Sequence, residues 1–241
     1  MSRAILLVLL AALCGDALAA APPEDSIAQR AAACSSCHGE QGRATRDGYY
    51  PRIAGKPAGY LYNQLLNFRD GRRRYALMAG MVDPLSEAYL MEIAQYFSAL
   101  ELPYTPLPAT LKPAAEQLRR GEALVQQGDA ARKLPACVQC HGQALTGVAP
   151  NIPGLVGLPV DYLNAQLGAW RTGQRRAHAP DCMAQIAKLL SADEVAAVTA
   201  WLATRPVPAD THPAATQPPA TAASVAMNCG SAPQVAAGAA K

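Results

Sequence analysis

The sequence predicts an all-α protein built from two small helical domains in tandem. A Cys-x-x-Cys-His run occurs twice, at Cys34–His38 and again at Cys137–His141. The residues that follow the first run return in the same order after the second, which indicates a duplicated unit. Between the loops, apolar residues recur at helical spacing. Within the 241 residues we therefore expect one domain over 22–102 and a second over 114–205, joined by 103–113.

The first residues have the pattern of a secretory signal peptide. An arginine precedes an apolar run from Ala4 to Leu13, and Ala17-Leu18-Ala19 offers a cleavage site of small residues. We expect residues 1–19 to be removed on export, with position 21 as an alternative end. An uncleaved membrane anchor competes with this interpretation, but the run is shorter than the ~20 residues that a bilayer span needs. The sequence thus predicts an exported, periplasmic protein, and peripheral association with a membrane stays open.

In the first domain, three segments have helical character. Residues 26–33 are rich in alanine and have Asp25 or Ser26 as an N-cap. Tyr60–Phe68 has apolar residues at helical spacing and is followed by Gly71. Ser86 caps a last helix with an apolar stripe of Leu90, Ile93, Phe97 and Leu100. Residues 39–59 and the segment with Met78 and Met81 are expected to be loops.

The second domain repeats this order of elements. A helix over 114–127 precedes Cys137, a loop follows over 142–160, and Tyr162–Trp170 forms the next helix before a loop with Met183. Ser191 opens the last helix with a capping box to Glu194, and the buried stripe is Val195, Val198, Trp201 and Leu202.

The repeat extends well beyond the cysteine runs. The pattern Pro-x-[Ile/Leu]-x-Gly-x-Pro-x-x-Tyr spans Pro51–Tyr60 and returns at Pro153–Tyr162, an offset of 102 residues. After a small insertion the offset is 105, and it pairs Met78 with Met183 and Ser86 with Ser191. A whole domain has therefore been duplicated.

Two segments have the composition of connectors. Residues 103–113 hold four prolines, which predicts an extended, semi-rigid linker. Residues 206–241 are mostly alanine, proline and threonine without any periodic pattern, so we expect a disordered tail. Cys229 lies in that tail without an assignable role, and the seven cysteines of the chain predict no disulfide framework.

The two Cys-x-x-Cys-His runs indicate covalent attachment of c-type haem. Cys34 and Cys37, and likewise Cys137 and Cys140, are spaced to add to the two vinyl groups of one porphyrin. His38 and His141 would bind the iron from one face, so two covalently bound haem c groups are expected. A single run could also be a redox dithiol or half of a zinc site, but the duplication favours haem.

The second axial ligand of each iron is expected from the loop before the last helix. Met78 and Met183 occupy equivalent positions there, and a methionine sulfur raises the potential of haem iron. The competing interpretation of any methionine is core packing, which we favour for Met81. Cys182 precedes Met183 directly and could bind the iron instead. We expect Met183 to be the ligand, with Cys182 turned away and reactive.

Other residues are placed to support the haem. The carbonyls of Pro51 and Pro153 could accept the Nδ1–H of the preceding ligand histidine, which fixes the orientation of the ring. Possible partners of the haem propionates are Tyr60, Tyr162, Arg74 and Arg176. The arginines could equally be solvated surface residues.

This order of motifs resembles the dihaem cytochrome c4 family over residues ~26–205. The motifs are Cys-x-x-Cys-His-Gly, Pro-x-[Leu/Ile]-x-Gly, Tyr-Leu-x-x-Gln-Leu, Gly-x-Arg-Arg, Met and Leu-Ser, each present twice. The resemblance implies two class I cytochrome c domains related by a pseudo-twofold axis. It also implies a periplasmic electron carrier between a quinol-oxidising complex and a terminal oxidase or reductase. The tail and Cys182 depart from the family pattern.

The sequence leaves two functions open besides that of an electron carrier. The chain could be the dihaem subunit of an oxidoreductase such as a sulfide-dehydrogenase flavocytochrome. It could also be a self-contained thiosulfate dehydrogenase, which would need an open or Cys-ligated iron, and Cys182 is the feature in its favour. We expect an electron carrier without catalytic residues. The net charge of +3 comes without a dense basic patch, so nucleic acid is not an expected partner.

Overall fold

The structure is a computed structural model that describes residues 25–45, 49–104, 111–222 and 224–231. The predicted signal peptide lies outside these residues, as do the middle of the predicted linker and the end of the predicted tail. Within the described ranges, none of the helices has both the length and the apolar character needed to cross a membrane.

Ten α-helices account for about half of the described chain. The first half contains α1 (Ile27–Arg30), α2 (Ala32–His38), α3 (Ala58–Arg69), α4 (Ala76–Val82) and α5 (Glu87–Ser98). The second half contains α6 (Ala115–Gln126), α7 (Cys137–His141), α8 (Val160–Arg171), α9 (Cys182–Leu189) and α10 (Ala192–Ala203). Two short strands, β1 (Gly147–Val148) and β2 (Ile152–Pro153), pair antiparallel after α7. The all-α fold is confirmed.

In the first half, α3 packs against both α4 and α5. The apolar stripe predicted for the last helix faces inward, and Leu90 and Phe97 are almost fully buried. Ile93 joins Phe97 in a cluster with Leu61 of α3. Because the core is small, burial of these few side chains has to hold three helices together.

In the second half, α10 is the central helix and contacts α6 and α8. Val198, Trp201 and Leu202 lie in a cluster with Leu124 and Val125 of α6. The helices α6 and α10 approach closely at Gly121, where a Cβ atom would collide with the backbone of Ala197. The long α6–α10 contact explains why this half has the larger core.

The predicted helix starts are present. Ser26 accepts a hydrogen bond from the Gln29 N–H, and Ser86 accepts one from the Tyr89 N–H. At α10 both bonds of the capping box form between Ser191 and Glu194. Such caps satisfy N–H groups that have no partner within the helix.

Glu194 also joins three distant parts of the second half. Its carboxylate accepts hydrogen bonds from Arg132 at 3.0 and 2.8 Å and from Arg120, and its side chain is 10% exposed. The bonds from Arg132, with those from the Ser191 N–H and Arg120, outweigh burial and lower the pKa of Glu194 from 4.5 to about 2. The ionised carboxylate therefore contributes to folding stability above pH 4.5, and this contribution is lost as the pH falls towards 2.

We expect Glu194→Gln to lower the free energy of unfolding at pH 7 by about 2 kcal/mol, since hydrogen bonds to charged groups contribute ~1.5–3 kcal/mol. The difference from the unmodified protein should shrink as the pH falls from 4.5 towards 2. Denaturant unfolding at several pH values measures both effects. Glu116→Gln is the control, because Glu116 pairs with Arg119 on an exposed helix face, where such pairs contribute little. Equal losses for the two variants would contradict the expectation.

Two expected loops differ from the structure. Met78 lies in α4 and Met183 lies in α9, so each methionine is carried by a short helix. Asp181 caps α9 by accepting from the Ala184 N–H, a start signal that the sequence reading did not use. The loop after α7 contains the β1–β2 pair, which was not predicted.

The tail was expected to be disordered, and its described part is not. Residues 206–222 and 224–231, which we call the strap, lie along the second half. Ala214 exchanges backbone hydrogen bonds with the β1 region, from the Ala149 N–H and to the Gly147 carbonyl, both at 2.9 Å. Cys229 forms a disulfide with Cys182, with 5.5 Å between the Cα atoms. A composition without periodicity does not exclude order when a covalent bond and an existing strand edge hold the segment.

The two halves meet through a reciprocal contact at the segments Arg72–Arg74 and Gln174–Arg176. The Arg74 N–H donates to the Gln174 carbonyl at 2.8 Å, and the Arg176 N–H donates to the Arg72 carbonyl at 2.7 Å. Arg73 and Arg175 face each other as an antiparallel bridge. These residues are repeat equivalents, so each half makes the same contact with the other.

Candidate functional site

The four motif cysteines are carried by two equivalent helices. Cys34 and Cys37 lie on α2, and Cys137 and Cys140 lie on α7. None of the four is in a disulfide. A spacing of three residues places both sulfurs of a pair on one side of a helix, as attachment to a single porphyrin requires.

The cysteine environments favour neutral thiols. Burial raises the pKa of Cys34, and burial raises the pKa of Cys137 to about 12. A redox dithiol needs a thiolate sulfur, so that alternative loses support. Within the described ranges, no group of three or more His, Cys, Asp and Glu side chains is arranged to hold a metal ion.

Each motif histidine is buried and held by one backbone carbonyl. His38 Nδ1 lies 2.8 Å from the Pro51 oxygen, and His141 Nδ1 lies 2.7 Å from the Pro153 oxygen. A carbonyl only accepts, so Nδ1 carries the proton and Nε2 keeps its lone pair for a metal. Burial lowers the pKa of both imidazoles, which keeps them neutral. The contact predicted for the two prolines is therefore present.

Met78 and Met183 occupy equivalent positions on α4 and α9. Both are partly buried, and Met78 packs beside Phe68, Val82 and Leu90. Their role as iron ligands remains a prediction.

Cys182 differs from its expected state, because its sulfur is bonded to Cys229. The expectation of a reactive thiol is wrong, and a disulfide sulfur cannot serve as a thiolate ligand. Two sequence-distant cysteines had given no signal of pairing, since the bond closes a separation of 47 residues.

A group of buried and partly buried cations lies where the halves meet. The cation cluster consists of Lys56, Arg73 and Arg175; Lys56 is 7% exposed and Arg175 is 4% exposed. Arg73 donates to Gln64 at 3.0 Å and to Gln166 at 2.8 Å, and Arg175 donates to the same two oxygens at 2.9 and 2.7 Å. Each glutamine therefore accepts from an arginine of its own half and one of the other half.

The cation cluster lacks acidic partners in the described part of the chain. Arg175 donates otherwise to the Tyr60 hydroxyl at 3.2 Å and stacks 3.8 Å from the centre of the Trp170 ring. Burial raises the pKa of Tyr60, but the nearby cations, Arg175 foremost, lower it more, to about 8. Buried cations are normally paired with anions, so this region calls for a negatively charged group.

The haem propionates fit that requirement. Among the described residues, Trp170 Nε1 is buried without a hydrogen-bond partner, and it belongs to the same region as Arg175. Arg74 and Arg176, the predicted propionate partners, are exposed, and their repeat neighbours Arg73 and Arg175 point inward instead. Sequence reasoning missed this pair because the motif Gly-x-Arg-Arg does not say which arginine is buried.

We expect Arg175→Met to lower the haem midpoint potentials by roughly tens of millivolts, because a nearby positive charge favours the reduced iron. A spectroelectrochemical titration of the holo-protein measures the change. Arg74→Met is the matched control, since it removes the same charge from an exposed neighbouring position. Equal potentials in the Arg175 variant and the unmodified protein would contradict the placement of the anion beside this cluster.

The residues thus fit two haem groups, one in each half. A bound haem supplies an iron centre that takes up and releases one electron. The chain supplies the attachment thiols, a neutral and oriented imidazole, an apolar cluster and a buried positive region. These residues would hold the haem in an apolar, positively charged environment.

Comparison with known proteins agrees with this arrangement. A thiosulfate dehydrogenase electron acceptor of Thiomonas intermedia is 40% identical over 189 residues, which cover 78% of this chain and 83% of the relative. A protein of the same name from Stutzerimonas stutzeri is 38% identical, covering 72% and 79%. Cytochrome c4 of Pseudomonas aeruginosa is 31% identical, covering 72% and 84%. No protein-family model matches the chain.

Comparison with solved structures also finds a cytochrome c4 and a thiosulfate dehydrogenase. Cytochrome c4 from Pseudomonas stutzeri superposes with a TM-score of 0.60 at 28% identity and covers 73% of this chain and 95% of its own. A thiosulfate dehydrogenase from Marichromatium purpuratum superposes with a TM-score of 0.62 at 35% identity. The match covers 72% of this chain and 36% of that chain.

Proposed function

The chain belongs to the dihaem cytochrome c4 family, and from this membership we propose that it carries electrons away from a thiosulfate-oxidising dehydrogenase. The observation that carries the proposal is the 40% identity to a thiosulfate dehydrogenase electron acceptor over most of both chains. Relatives named cytochrome c4 match less closely, at 31% and 33%. The chain binds haem c covalently, as its family does, and we propose two haems, at Cys34/Cys37 and Cys137/Cys140.

The chain is an electron carrier and not a catalytic enzyme. In the proposed mechanism His38 and His141 would each bind a haem iron through Nε2, and Met78 and Met183 would supply the second protein ligand of each iron. The Pro51 and Pro153 carbonyls keep the imidazoles in one orientation. With ligation fixed, little rearrangement accompanies a change of oxidation state, which suits rapid outer-sphere transfer. The buried cations oppose the propionate charge and favour the reduced form.

The alternative of a self-contained thiosulfate dehydrogenase loses its support. It had rested on Cys182 as an iron ligand, and that sulfur is bonded to Cys229. The relatives instead support a role as the acceptor of such a dehydrogenase. The flavocytochrome-subunit alternative gains no comparable support.

The second candidate function is electron transfer from a quinol-oxidising complex to a terminal oxidase. Relatives named cytochrome c4 support the expected path from a quinol-oxidising complex to a terminal oxidase. Both candidates place the protein in the periplasm, and both allow a terminal oxidase as the final acceptor. They differ in the protein that donates the electron.

Reduction kinetics decide between the donors. The oxidised holo-protein is mixed in a stopped-flow instrument with a purified thiosulfate dehydrogenase and thiosulfate, and haem reduction is followed by absorbance. We expect rapid reduction that depends on both components. A quinol-oxidising complex with its quinol is the matched comparison. Reduction by the quinol system alone would overturn the first candidate and leave the second.

A further inference from the structure

We propose that the strap closes the outer edge of the second haem site and thereby directs electron exchange with partner proteins to the first site. The statement about partners rests on the proposed function, and the closure of the edge does not. It concerns a segment outside the repeat, so the two halves are unequal in a way that duplication alone would not produce.

The strap is fixed first at the attachment motif. Gln139 lies between Cys137 and Cys140, and its side-chain amide forms two hydrogen bonds with Val225. The Nε2 donates to the Val225 carbonyl at 2.6 Å, and the Oε1 accepts from the Val225 N–H at 3.1 Å. This pair of bonds is equivalent to a strand contact, and it holds the strap against the attachment helix α7.

Four residues later the strap is fixed at the helix of the other axial ligand. Cys229 is bonded to Cys182, the neighbour of Met183, and the Gly230 N–H donates to the Pro180 carbonyl at 3.0 Å. The strap between Val225 and Cys229 can span at most about 14 Å. His141 and Met183 are the proposed ligands on opposite haem faces, so a chain that links their helices over this length crosses the haem edge between them.

Further bonds hold the strap on both sides of this crossing. Before it, Ala214 pairs with the β1 region. After it, Ser231 accepts from the His178 N–H at 3.2 Å and from the Asn63 side chain of the first half, also at 3.2 Å. The strap is thus tied to the second half and to the junction of the halves.

The equivalent positions of the first half are open. Ser36 and Cys37 are exposed, whereas their equivalents Gln139 and Cys140 are partly buried. Burial raises the pKa of Cys140. Among the described residues, the strap makes no hydrogen bond to α2 or α4, the helices that correspond to α7 and α9.

The open edge is bordered by apolar side chains. Leu77 and Met81 of α4 are 63% and 52% exposed, and they flank Met78. Their equivalents are Cys182, which is bonded to the strap, and Ile186, which is partly buried. Since the chain itself covers this face in the second half, the uncovered face in the first half fits a partner of similar chemistry. We assign it to the electron donor, a redox protein with an apolar, weakly charged docking face.

Nuclear magnetic resonance of the oxidised holo-protein tests the closure without any partner. A neutral gadolinium chelate broadens signals near solvent, and the haem methyl signals of the two sites are resolved by their hyperfine shifts. We expect the chelate to broaden the methyls of the first haem several-fold more than those of the second. Met78→Ala assigns the first set, because it shifts only that set. Equal broadening in the intact chain would overturn the proposal.

Removal of the strap provides a second test of the closure. A chain ending at Arg205 should show second-haem methyls that broaden as strongly as those of the first. If that chain does not fold, the variant Cys182→Ser/Cys229→Ser/Gln139→Ala releases the strap at both sides of the crossing. It should give the same increase in broadening of the second-haem methyl signals. A folded variant of either kind with unchanged broadening would show that the strap does not cover the edge.

The assignment of the apolar face to the electron donor is tested separately, by reduction kinetics. Leu77→Gln/Met81→Gln should reduce the second-order rate of reduction by thiosulfate dehydrogenase at least several-fold. The matched substitution Ile186→Gln, on the covered side, should leave that rate within twofold of the unmodified protein. The reverse order would overturn the assignment of the docking face. Absence of reduction in every form, with unequal broadening retained, would instead reject the proposed donor and keep the closure.

Discussion

Replacing both Cys137 and Cys140 with alanine should leave a chain with one haem and an unfolded second half. The two thiols are the proposed attachment points on α7, and the second core is a single apolar cluster of α6, α8 and α10 around Trp201. Small domains depend on a cofactor or covalent link for stability. Because roughly half of the helical residues lie in α6–α10, we expect the far-ultraviolet circular dichroism to fall by about half.

Mass spectrometry of the denatured, exported protein gives the number of covalently attached haems. The unmodified chain should carry the mass of two haems and the variant the mass of one. Cys34→Ala/Cys37→Ala is the matched variant, and it should spare the second half. Full helix content in the Cys137→Ala/Cys140→Ala variant would contradict a haem-dependent core.

Replacing Met183 with alanine should lower the potential of one haem by on the order of 0.1 V or more, within the roughly 0.8 V range that axial ligands span. A methionine sulfur stabilises the reduced iron, and the variant would lose it. The weak far-red band of ferric, methionine-ligated haem should fall by about half, since Met78 keeps the other site unchanged. Redox titration and absorbance spectra measure both effects.

The disulfide provides a control for this prediction. Cys182→Ser/Cys229→Ser changes the residue next to Met183 without removing the sulfur ligand, so the far-red band should persist. Loss of that band in the double serine variant, with retention in Met183→Ala, would assign ligation of the second haem to a residue other than Met183.

Local patterns predicted most of the fold. The residue pattern located both cysteine motifs, the constant offsets between the halves indicated the duplication, and the Ser191–Glu194 capping box is present as expected. The Pro51 and Pro153 contacts were also predicted, because a short loop after each histidine returns the backbone to the ring. These features depend on residues close in sequence or on repetition, both of which are visible in one chain.

Features that depend on distant contacts were not predictable. The pairing of Cys182 with Cys229 follows from the path of the strap, which its composition does not encode. The inward placement of Arg73 and Arg175, rather than of Arg74 and Arg176, is set by the way the two halves cross. In both cases the deciding partner lies in another part of the fold.

The shared glutamines have a consequence for the history of the chain. Gln64 and Gln166 each accept from arginines of both halves, so in either half alone the glutamine and the arginine would each lose one of their two partners. Such reciprocity is the mark of a symmetric dimer interface. The present chain behaves like a homodimer whose two subunits were fused, and later changes at one of these four positions are constrained by the other three. The strap could then be added to one half only, because fusion had already made the two halves distinguishable.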